Sequence, residues 1–259
     1  MNYVITDLND SVLTITLNRP EAYNALNAEL SKQFIDALKQ AKKNKDIKVV
    51  VLTGSGNAFC AGQDLKEVAD NDQLTFTEVL MKRYNVIVNS IRDLDVPVIC
   101  RLNGVAAGAG ASIALACDYI VASENATFVM AFIKVGLVPD SGASFFIVKQ
   151  LGYQRAFELF TTGRPLSAGE ALSLGLINMV VPEHRLDSAV EEVVNYYKEA
   201  PSVAVKLTKR LLNRALFASS LDEVLQWETY YQEIAGRTED HREGVSAFLQ
   251  KRKPNFKGK

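Results

Sequence analysis

Residues 103–117 read NGVAAGAGASIALAC, a stretch that carries almost no polar side chain and consists mostly of glycine and alanine. A helix that is apolar all round is buried on every side, and small residues allow backbones to approach closely. Short apolar runs typical of strands flank this stretch: Val98–Leu102, which follows Pro97, and Tyr119–Ala122. We therefore predict a buried helix between two strands, which is the repeating unit of an α/β core.

The sequence before this segment shows the same alternation of strand and helix. Val12–Leu17 alternates apolar residues with threonine, as a half-buried strand does, and Lys48–Thr53 is a β-branched run typical of a strand covered on both faces. Two amphipathic helices are predicted. The helix that begins at Asn27 has the apolar stripe Leu30, Phe34, Leu38 and Ala41. The helix before Pro97 has the apolar stripe Leu80, Tyr84, Ile87 and Ile91. The pattern predicts an α/β fold with mainly parallel strands.

After about residue 140 the pattern becomes helical, and no Pro/Gly/Ser-rich linker separates the two parts. Stripes with helical spacing occur at Ala156–Phe160, Ala168–Leu174, Leu186–Tyr197, Val203–Leu216, Leu221–Ile234 and Arg242–Leu249. We divide the chain into an α/β core, residues 1–195, and a C-terminal helical region, residues 196–259. The last nine residues, KRKPNFKGK, hold five bases and no acid, which predicts a solvated tail.

Composition excludes several classes of function. The 259 residues carry 29 bases and 30 acids, so the net charge is 29 − 30 = −1, and no basic excess points to nucleic acid or to an anionic membrane. No run of 18 apolar residues predicts a membrane span. Cys60, Cys100 and Cys117 are widely spaced and odd in number, which argues against a disulfide framework. With no secretory signal at the N-terminus, we expect a cytoplasmic protein.

Common catalytic motifs are also missing from the sequence. The dinucleotide fingerprint G-x-G-x-x-G begins at Gly108–Gly110 but fails at Ile113. The sequence contains no phosphate-binding G-x-x-x-x-G-K-[ST] loop and no G-x-S-x-G nucleophile elbow. His184 and His241 lack a second ligand at i+4 or an acidic partner. We therefore expect no catalysis by histidine, by a metal or by a dinucleotide.

Two segments rich in small residues follow predicted strands: Cys60–Asp64 and Gly104–Gly110. The free N–H groups at such turns can stabilise an anion, and two of them that converge on one carbonyl oxygen form an oxyanion hole. Close packing of helix on sheet explains the same glycines without any chemistry. The residues alone leave both interpretations open.

Four motifs in this order resemble the crotonase (enoyl-CoA hydratase/isomerase) superfamily: NRPEAYNAL at 18–26, AFCAGQDL at 58–65, NGVAAGAG at 103–110 and LVPDSG at 137–142. The helical segment TGRPLSAGEA at 162–171 resembles it as well. The likeness covers essentially the whole chain. It implies a crotonase-like spiral of ββα units with a C-terminal helical subdomain, assembled as a homotrimer or as a dimer of trimers.

The resemblance also implies a site for acyl-CoA thioesters. The backbone N–H groups of Gln63 and Ala109, with Gly110 as the alternative to Ala109, would hold the thioester oxygen. CoA would lie against Ala25, Leu26, Ala61, Asp64, Leu65 and Lys66. CoA enters as part of the substrate, so no separate cofactor and no metal is implied. Taken alone, Asp64 is more typical of a helix cap and Lys66 of a solvated surface residue. The basic tail is a candidate for binding the CoA phosphates of its own or of a neighbouring subunit.

The acids depart from the pattern of the family's hydratases. Those enzymes carry two glutamates, at positions that here are Ser112 and Phe132. Asp140 stands where the family's enoyl-CoA isomerases and ring-epoxide phenylacetyl-CoA isomerases place their single acid, although a turn or cap role explains it locally. We predict that Asp140 removes a C2 proton and returns it to C4. Apolar neighbours would raise its pKa: Phe132, Val138, Phe145 and Phe146.

Two further functions remain open from the sequence. One is an enoyl-CoA hydratase with an acid not yet identified; the other is an acyl-CoA-binding protein without activity, since both hydratase acids are missing. The helix at Leu221–Ile234 carries Trp227, Tyr230 and Tyr231, which suit either an interface between subunits or core packing.

Overall fold

The structure, a computed structural model, describes residues 2–70 and 75–259. The strands are β1 (Val4–Asn9), β2 (Val12–Leu17), β3 (Val49–Gly54), β4 (Ala58–Cys60), β5 (Val98–Leu102), β6 (Val105–Ala107), β7 (Tyr119–Ser123), β8 (Thr127–Val129), β9 (Pro165–Ser167) and β10 (Met179–Val181). The α-helices are α1 (Ala28–Lys43), α2 (Leu65–Ala69), α3 (Phe76–Val79), α4 (Asn85–Arg92), α5 (Ala109–Leu115), α6 (Ala143–Leu151), α7 (Tyr153–Thr162), α8 (Ala168–Ser173), α9 (Leu186–Glu199), α10 (Ser202–Ala215), α11 (Leu221–Gly236) and α12 (Glu239–Leu249).

Two sheets form the core. The first has the order β1-β2-β3-β5-β7-β10 and is parallel except for the β1–β2 hairpin. The second has the order β4-β6-β8-β9 and is parallel except for β8–β9. The chain passes from β3 to β4, from β5 to β6 and from β7 to β8, each time leaving the first sheet for the second before the next helices begin. This repeat confirms the predicted spiral of ββα units.

Strand β3 of the first sheet is covered on both faces, as the β-branched run at 48–53 predicts. Val50 and Leu52 of β3 face the main core, which α1 and α4 complete. Val49 and Val51 point the other way, into a cluster with apolar residues of α9. Because successive side chains of a strand point to opposite faces, a strand buried on both sides shows no polar alternation.

The segment 103–117 is only partly the helix that its composition predicts. Residues Val105–Ala107 form strand β6 in the second sheet, and the helix α5 begins at Ala109. All seven residues of α5 are buried, which confirms the prediction for that part. The three cysteines are free and buried, as expected.

The C-terminal tail is largely exposed, as predicted for a solvated tail, but its backbone is held in place. The N–H groups of Lys257 and Gly258 donate to the carboxylate of Asp240, at 2.6 and 2.9 Å, and the Asp240 N–H donates to the Lys259 carbonyl at 3.1 Å. The Asn255 N–H donates to Glu243 at 2.7 Å. A buried carboxylate needs hydrogen-bond donors, and the tail supplies them by folding back on α12.

The C-terminal helices α10–α12 begin at Ser202, whereas the predicted boundary after residue 195 falls inside α9; the division into two parts stays a prediction. In α11, the Trp227 ring lies under the Arg214 guanidinium at 3.6 Å, and Tyr231 is buried. Trp227 is half-buried and Tyr230 is exposed, so burial within the chain accounts for Tyr231. Across residues 2–70 and 75–259, no helix combines the length and the apolar character that crossing a bilayer requires.

Candidate active site

A cavity of about 90 Å³ lies between the two glycine-rich segments and the loop before α6. The residues that line it are Ala61, Gln63, Leu65, Tyr84, Gly108, Ala109, Ala131, Phe132, Val135, Leu137 and Asp140. The structure thus brings together the three predicted catalytic positions, Gln63, Ala109 and Asp140, which the sequence separates by up to 77 residues. Gly110, the alternative to Ala109, packs against Cys60 instead: a Cβ at position 110 would stand 2.1 Å from the Cys60 carbonyl oxygen.

The Gln63 backbone is held in a single parallel bridge to Leu26. Leu26 donates its N–H to the Gly62 carbonyl at 2.7 Å and accepts from the Asp64 N–H at 3.2 Å. In parallel pairing, the residue between two such bonds directs its own N–H away from the partner strand. The Gln63 N–H therefore points away from Leu26, and Gln63 lines the cavity whereas Leu26 does not.

The Ala109 N–H opens helix α5, and first-turn N–H groups have no partner within a helix. The preceding Gly108 has φ 50° and ψ −124°, which side-chain-bearing residues rarely adopt. Gly62 lies against the same turn: a Cβ there would stand 2.7 Å from the Ala107 carbonyl oxygen and 3.2 Å from the Ala109 nitrogen. Close packing of the two segments therefore accounts for Gly62, and the oxyanion role of the Gln63 and Ala109 amides stays a prediction.

Asp140 is partly buried and is fixed at both its backbone and its side chain. The Ser141 hydroxyl donates to Asp140 Oδ1 at 2.7 Å, and the Ser112 hydroxyl donates to the Asp140 carbonyl at 3.2 Å. Burial raises the pKa of the Asp140 carboxyl above its usual value, and the hydrogen bond from Ser141 opposes this shift. Ser141 itself has φ 53°, a left-handed conformation that is uncommon for serine and recurs at functional sites.

The predicted apolar neighbours of Asp140 are only partly right. Phe132 lines the cavity, whereas Val138 is 78% exposed and Phe145 stacks on Phe217 at 4.8 Å. Phe146 is buried beside Arg92, away from this cavity. Other apolar side chains that line the cavity are not among the predicted neighbours of Asp140: Leu65, Val135 and Leu137.

The residues predicted to contact CoA lie in the segment 60–66 and in Ala25–Leu26, where Leu26 pairs with Gln63. Asp64 is buried, caps α2 by accepting from the Lys66 N–H at 2.9 Å, and forms an ion pair with Arg19, which confirms its structural role. Ala25 and Leu26 are buried, whereas Leu65 and Lys66 are exposed. Ala61 is half-buried, and its N–H donates to the Tyr23 carbonyl.

Arg19, Asn24 and Tyr84 also support this site, and the sequence did not single them out. Arg19 joins the 18–26 motif to Asp64, and it donates to the Ala25 carbonyl at 3.1 Å. Asn24 is fully buried, and its amide donates to the carbonyls of Ala58 and Phe59. Arg19 and Asn24 both lie inside the motif at 18–26, and this position is the sequence feature that could have identified them. By its spacing Tyr84 belongs to an apolar helix stripe, and its hydroxyl is the sequence feature that distinguishes it from the other residues of that stripe.

Comparisons with known proteins agree over the whole chain. The family model for enoyl-CoA hydratase/isomerase matches residues 7–259. A protein of Escherichia coli (strain K12) named 1,2-epoxyphenylacetyl-CoA isomerase is 40% identical, with complete coverage of both chains. A probable enoyl-CoA hydratase of Rhodobacter capsulatus is 36% identical, and the alignment covers 98% of this chain and 97% of that protein. The crystal structure of an enoyl-CoA hydratase from Bacillus anthracis superposes with a TM-score of 0.92 at 33% identity, covering 99% of this chain and 100% of that one.

Proposed function

Because this chain belongs to the enoyl-CoA hydratase/isomerase family, we propose that it is an acyl-CoA isomerase whose acid–base group is Asp140. Family membership and the close superposition on a family structure confirm the crotonase-like fold and the enzymatic class. The specific reaction is our proposal. The observation that carries it is the composition of the cavity: Asp140 holds the one carboxylate among the described residues that line it.

The proposed reaction moves a double bond from C3 to C2 of a 3-enoyl-CoA. The Asp140 carboxylate takes a proton from C2, and the electron pair of that bond delocalises over C1–C4 and the thioester oxygen. The Gln63 and Ala109 N–H groups hold the negative oxygen of this dienolate. The protonated Asp140 then gives the same proton to C4, the C2=C3 bond forms, and the thioester carbonyl is restored. Since burial raises the pKa of Asp140, the carboxyl suits both steps.

A hydratase is less well supported by this cavity. Adding water across a double bond requires one group to activate the water and another to deliver a proton to C2. The positions where hydratases of the family carry glutamate hold Ser112, which binds the Asp140 carbonyl, and Phe132. One carboxylate that gives and takes the same proton is sufficient for an isomerase.

The test compares 3-enoyl-CoA and 2-enoyl-CoA as substrates for the wild-type protein and for Asp140→Asn. We expect isomerisation of the 3-enoyl thioester and a loss of about 10²–10⁴-fold in kcat for the variant. Asp46→Asn, an equivalent change at an exposed aspartate, is the matched control and should retain full activity. Hydration of the 2-enoyl thioester that survives Asp140→Asn would favour the hydratase. Binding of both thioesters without deuterium exchange at C2 would favour a protein without activity.

Within the same mechanism the acyl group has two candidate classes. One is an unsaturated acyl chain; the other is a ring epoxide of phenylacetyl-CoA, for which the Escherichia coli relative is named. Both need an acid near C2 and amides at the thioester oxygen. We propose in addition that CoA lies against Ala25, Leu26, Ala61 and Asp64–Lys66, where the exposed Lys66 ammonium is placed to meet a phosphate.

We also propose that the protein forms a homotrimer or a dimer of trimers through its C-terminal helices. Large apolar side chains that are exposed there support an interface between subunits: Leu212, Phe217, Leu221, Leu225, Tyr230, Phe248 and Leu249. Light scattering coupled to size exclusion measures the assembly directly. A monomer at micromolar concentration would contradict this proposal and leave the mechanism intact.

A further inference from the structure

Tyr84 is a titratable group in the cavity that the proposed mechanism does not use. It ends a π-helical turn, Leu80–Tyr84, between α3 and α4, and its residue is 1% exposed. A π-helical turn inserts an extra residue into a helix and redirects the side chains beside it, which is why such turns are frequent at functional sites. Here the turn brings a tyrosine into the lining of the cavity.

Among the described residues, the Tyr84 hydroxyl has one hydrogen-bond partner, and the bond to it is long. It donates to the Leu26 carbonyl at 3.4 Å, whereas hydroxyl hydrogen bonds are usually 2.7–2.8 Å long. That carbonyl already accepts from the Asp64 N–H. A phenylalanine would fill the same space without burying a poorly bonded hydroxyl, so packing explains the ring and leaves the hydroxyl unexplained.

The hydroxyl can serve only as a donor or acceptor of hydrogen bonds, because it stays protonated. Burial raises the pKa of Tyr84 far above its usual value, and the nearby charge of Asp140 adds to this. Of the lining residues in ranges 2–70 and 75–259, two others carry polar side chains, Gln63 and Asp140. The rest of the wall around the proposed acyl position is apolar: Leu65, Phe132, Val135 and Leu137.

We propose that Tyr84 is a specificity-determining residue that donates a hydrogen bond to an oxygen atom on the acyl group, close to C2. The site then favours CoA thioesters of oxygen-bearing acyl groups over those of plain hydrocarbon chains. When the hydroxyl turns from Leu26 to the ligand, the Leu26 carbonyl keeps its bond from Asp64, so no buried acceptor is left unpaired. This inference rests on the proposed function only in placing the acyl group in this cavity.

The experiment uses two unreactive thioesters that differ by one oxygen, phenylacetyl-CoA and 2-hydroxyphenylacetyl-CoA, and measures the dissociation constants by calorimetry. The added oxygen is on C4, two bonds from C2 and the carbon that receives the proton in the proposed reaction. We expect the wild-type protein to bind the hydroxylated thioester about 5–10-fold more tightly, the effect of one net hydrogen bond. Tyr84→Phe should remove this preference. Tyr153→Phe, at an exposed tyrosine outside the cavity, is the matched control and should keep it.

The outcomes separate this inference from the proposed function. Equal affinities in the wild-type protein would overturn the inference without any use of a variant. A preference that Tyr84→Phe retains would overturn it as well. If neither thioester binds to the wild-type protein, the proposed function fails together with the inference. Because the readout is affinity, loss of turnover in Asp140→Asn does not bear on it.

Discussion

Replacing Lys209 by methionine should destabilise the protein far more than replacing any surface lysine. Lys209 is a residue of α10 whose side chain is 8% exposed, and its ammonium donates three hydrogen bonds. They reach Asp118 at 2.6 Å, the Val96 carbonyl at 3.1 Å and the Ile91 carbonyl at 3.2 Å. This one group therefore joins α10 to the end of α4 and to the residues before β5 and β7.

Methionine keeps the length of the side chain and removes only the charge and the donors. Removing one partner of a buried ion pair costs about 3–5 kcal/mol, since the other charge remains in a medium of low polarity. Asp118 retains the Val98 N–H at 2.8 Å and the Arg92 guanidinium at 3.6 Å. We therefore expect the lower end of this range, about 3 kcal/mol.

Lys206 provides a matched control on the same helix. Its ammonium lies 2.7 Å from Asp95, a similar distance, but the two side chains are 34% and 31% exposed. Exposed pairs contribute about 0–1 kcal/mol, so Lys206→Met should cost no more than that. Urea unfolding of both variants, with unchanged m-values, measures the two costs. Equal costs would refute the argument that burial of the Lys209 pair sets its contribution.

Four further predictions follow from the site and the tail. Ser141→Ala removes a donor that lowers the pKa of Asp140, so the rising limb of the kcat/KM–pH profile should move to higher pH; an unmoved limb would contradict this hydrogen bond. Asp140→Asn should raise Tm at pH 7.5. A carboxyl whose pKa is raised on folding stabilises the protein at low pH and loses that contribution as the pH rises through its folded pKa. Thermal unfolding at two pH values measures this difference. Lys66→Ala should raise KM for the acyl-CoA about 3–10-fold at constant kcat, whereas an altered kcat would place Lys66 in the chemistry. Asp240→Ala should cost about 2–3 kcal/mol in urea, and deletion of residues 257–259 a similar amount, because each breaks the same charged hydrogen bonds.

The long elements could be read from the sequence, because each one buries a repeating face. The alternation in Val12–Leu17 and the β-branched run before Gly54 match β2 and β3 closely. The stripe at Leu186–Tyr197 matches α9 within two residues at its end. In these segments local pattern and tertiary burial agree, which is the condition under which sequence analysis succeeds.

The second sheet could not be read in this way. Its strands β4, β6, β8 and β9 are three residues long, too short to show a period, and they exist because they pair with one another. Tertiary pairing outweighs local preference there. This is also why residues 103–117 contain a strand before the helix.

The candidate site was predicted largely through resemblance to a family. Gln63, Ala109 and Asp140 came from matched motifs, and the structure places all three on one cavity. Ser141 and Tyr84 were missed for different reasons. A serine after an aspartate is typical of any turn, and a tyrosine at helical spacing is typical of a core. Only the fold shows that the Ser141 hydroxyl donates to a carboxylate and that Tyr84 lines a cavity.

The position of Ser112 bears on how one member of this fold could be converted into another. A glutamate there would lose the hydroxyl that holds the Asp140 carbonyl, and its larger side chain would enter a fully buried place. Ser112→Glu would therefore disturb the support of the 137–142 loop as well as change the side chain at position 112. An acid at position 112 of this fold thus calls for compensating changes among the residues that this position contacts.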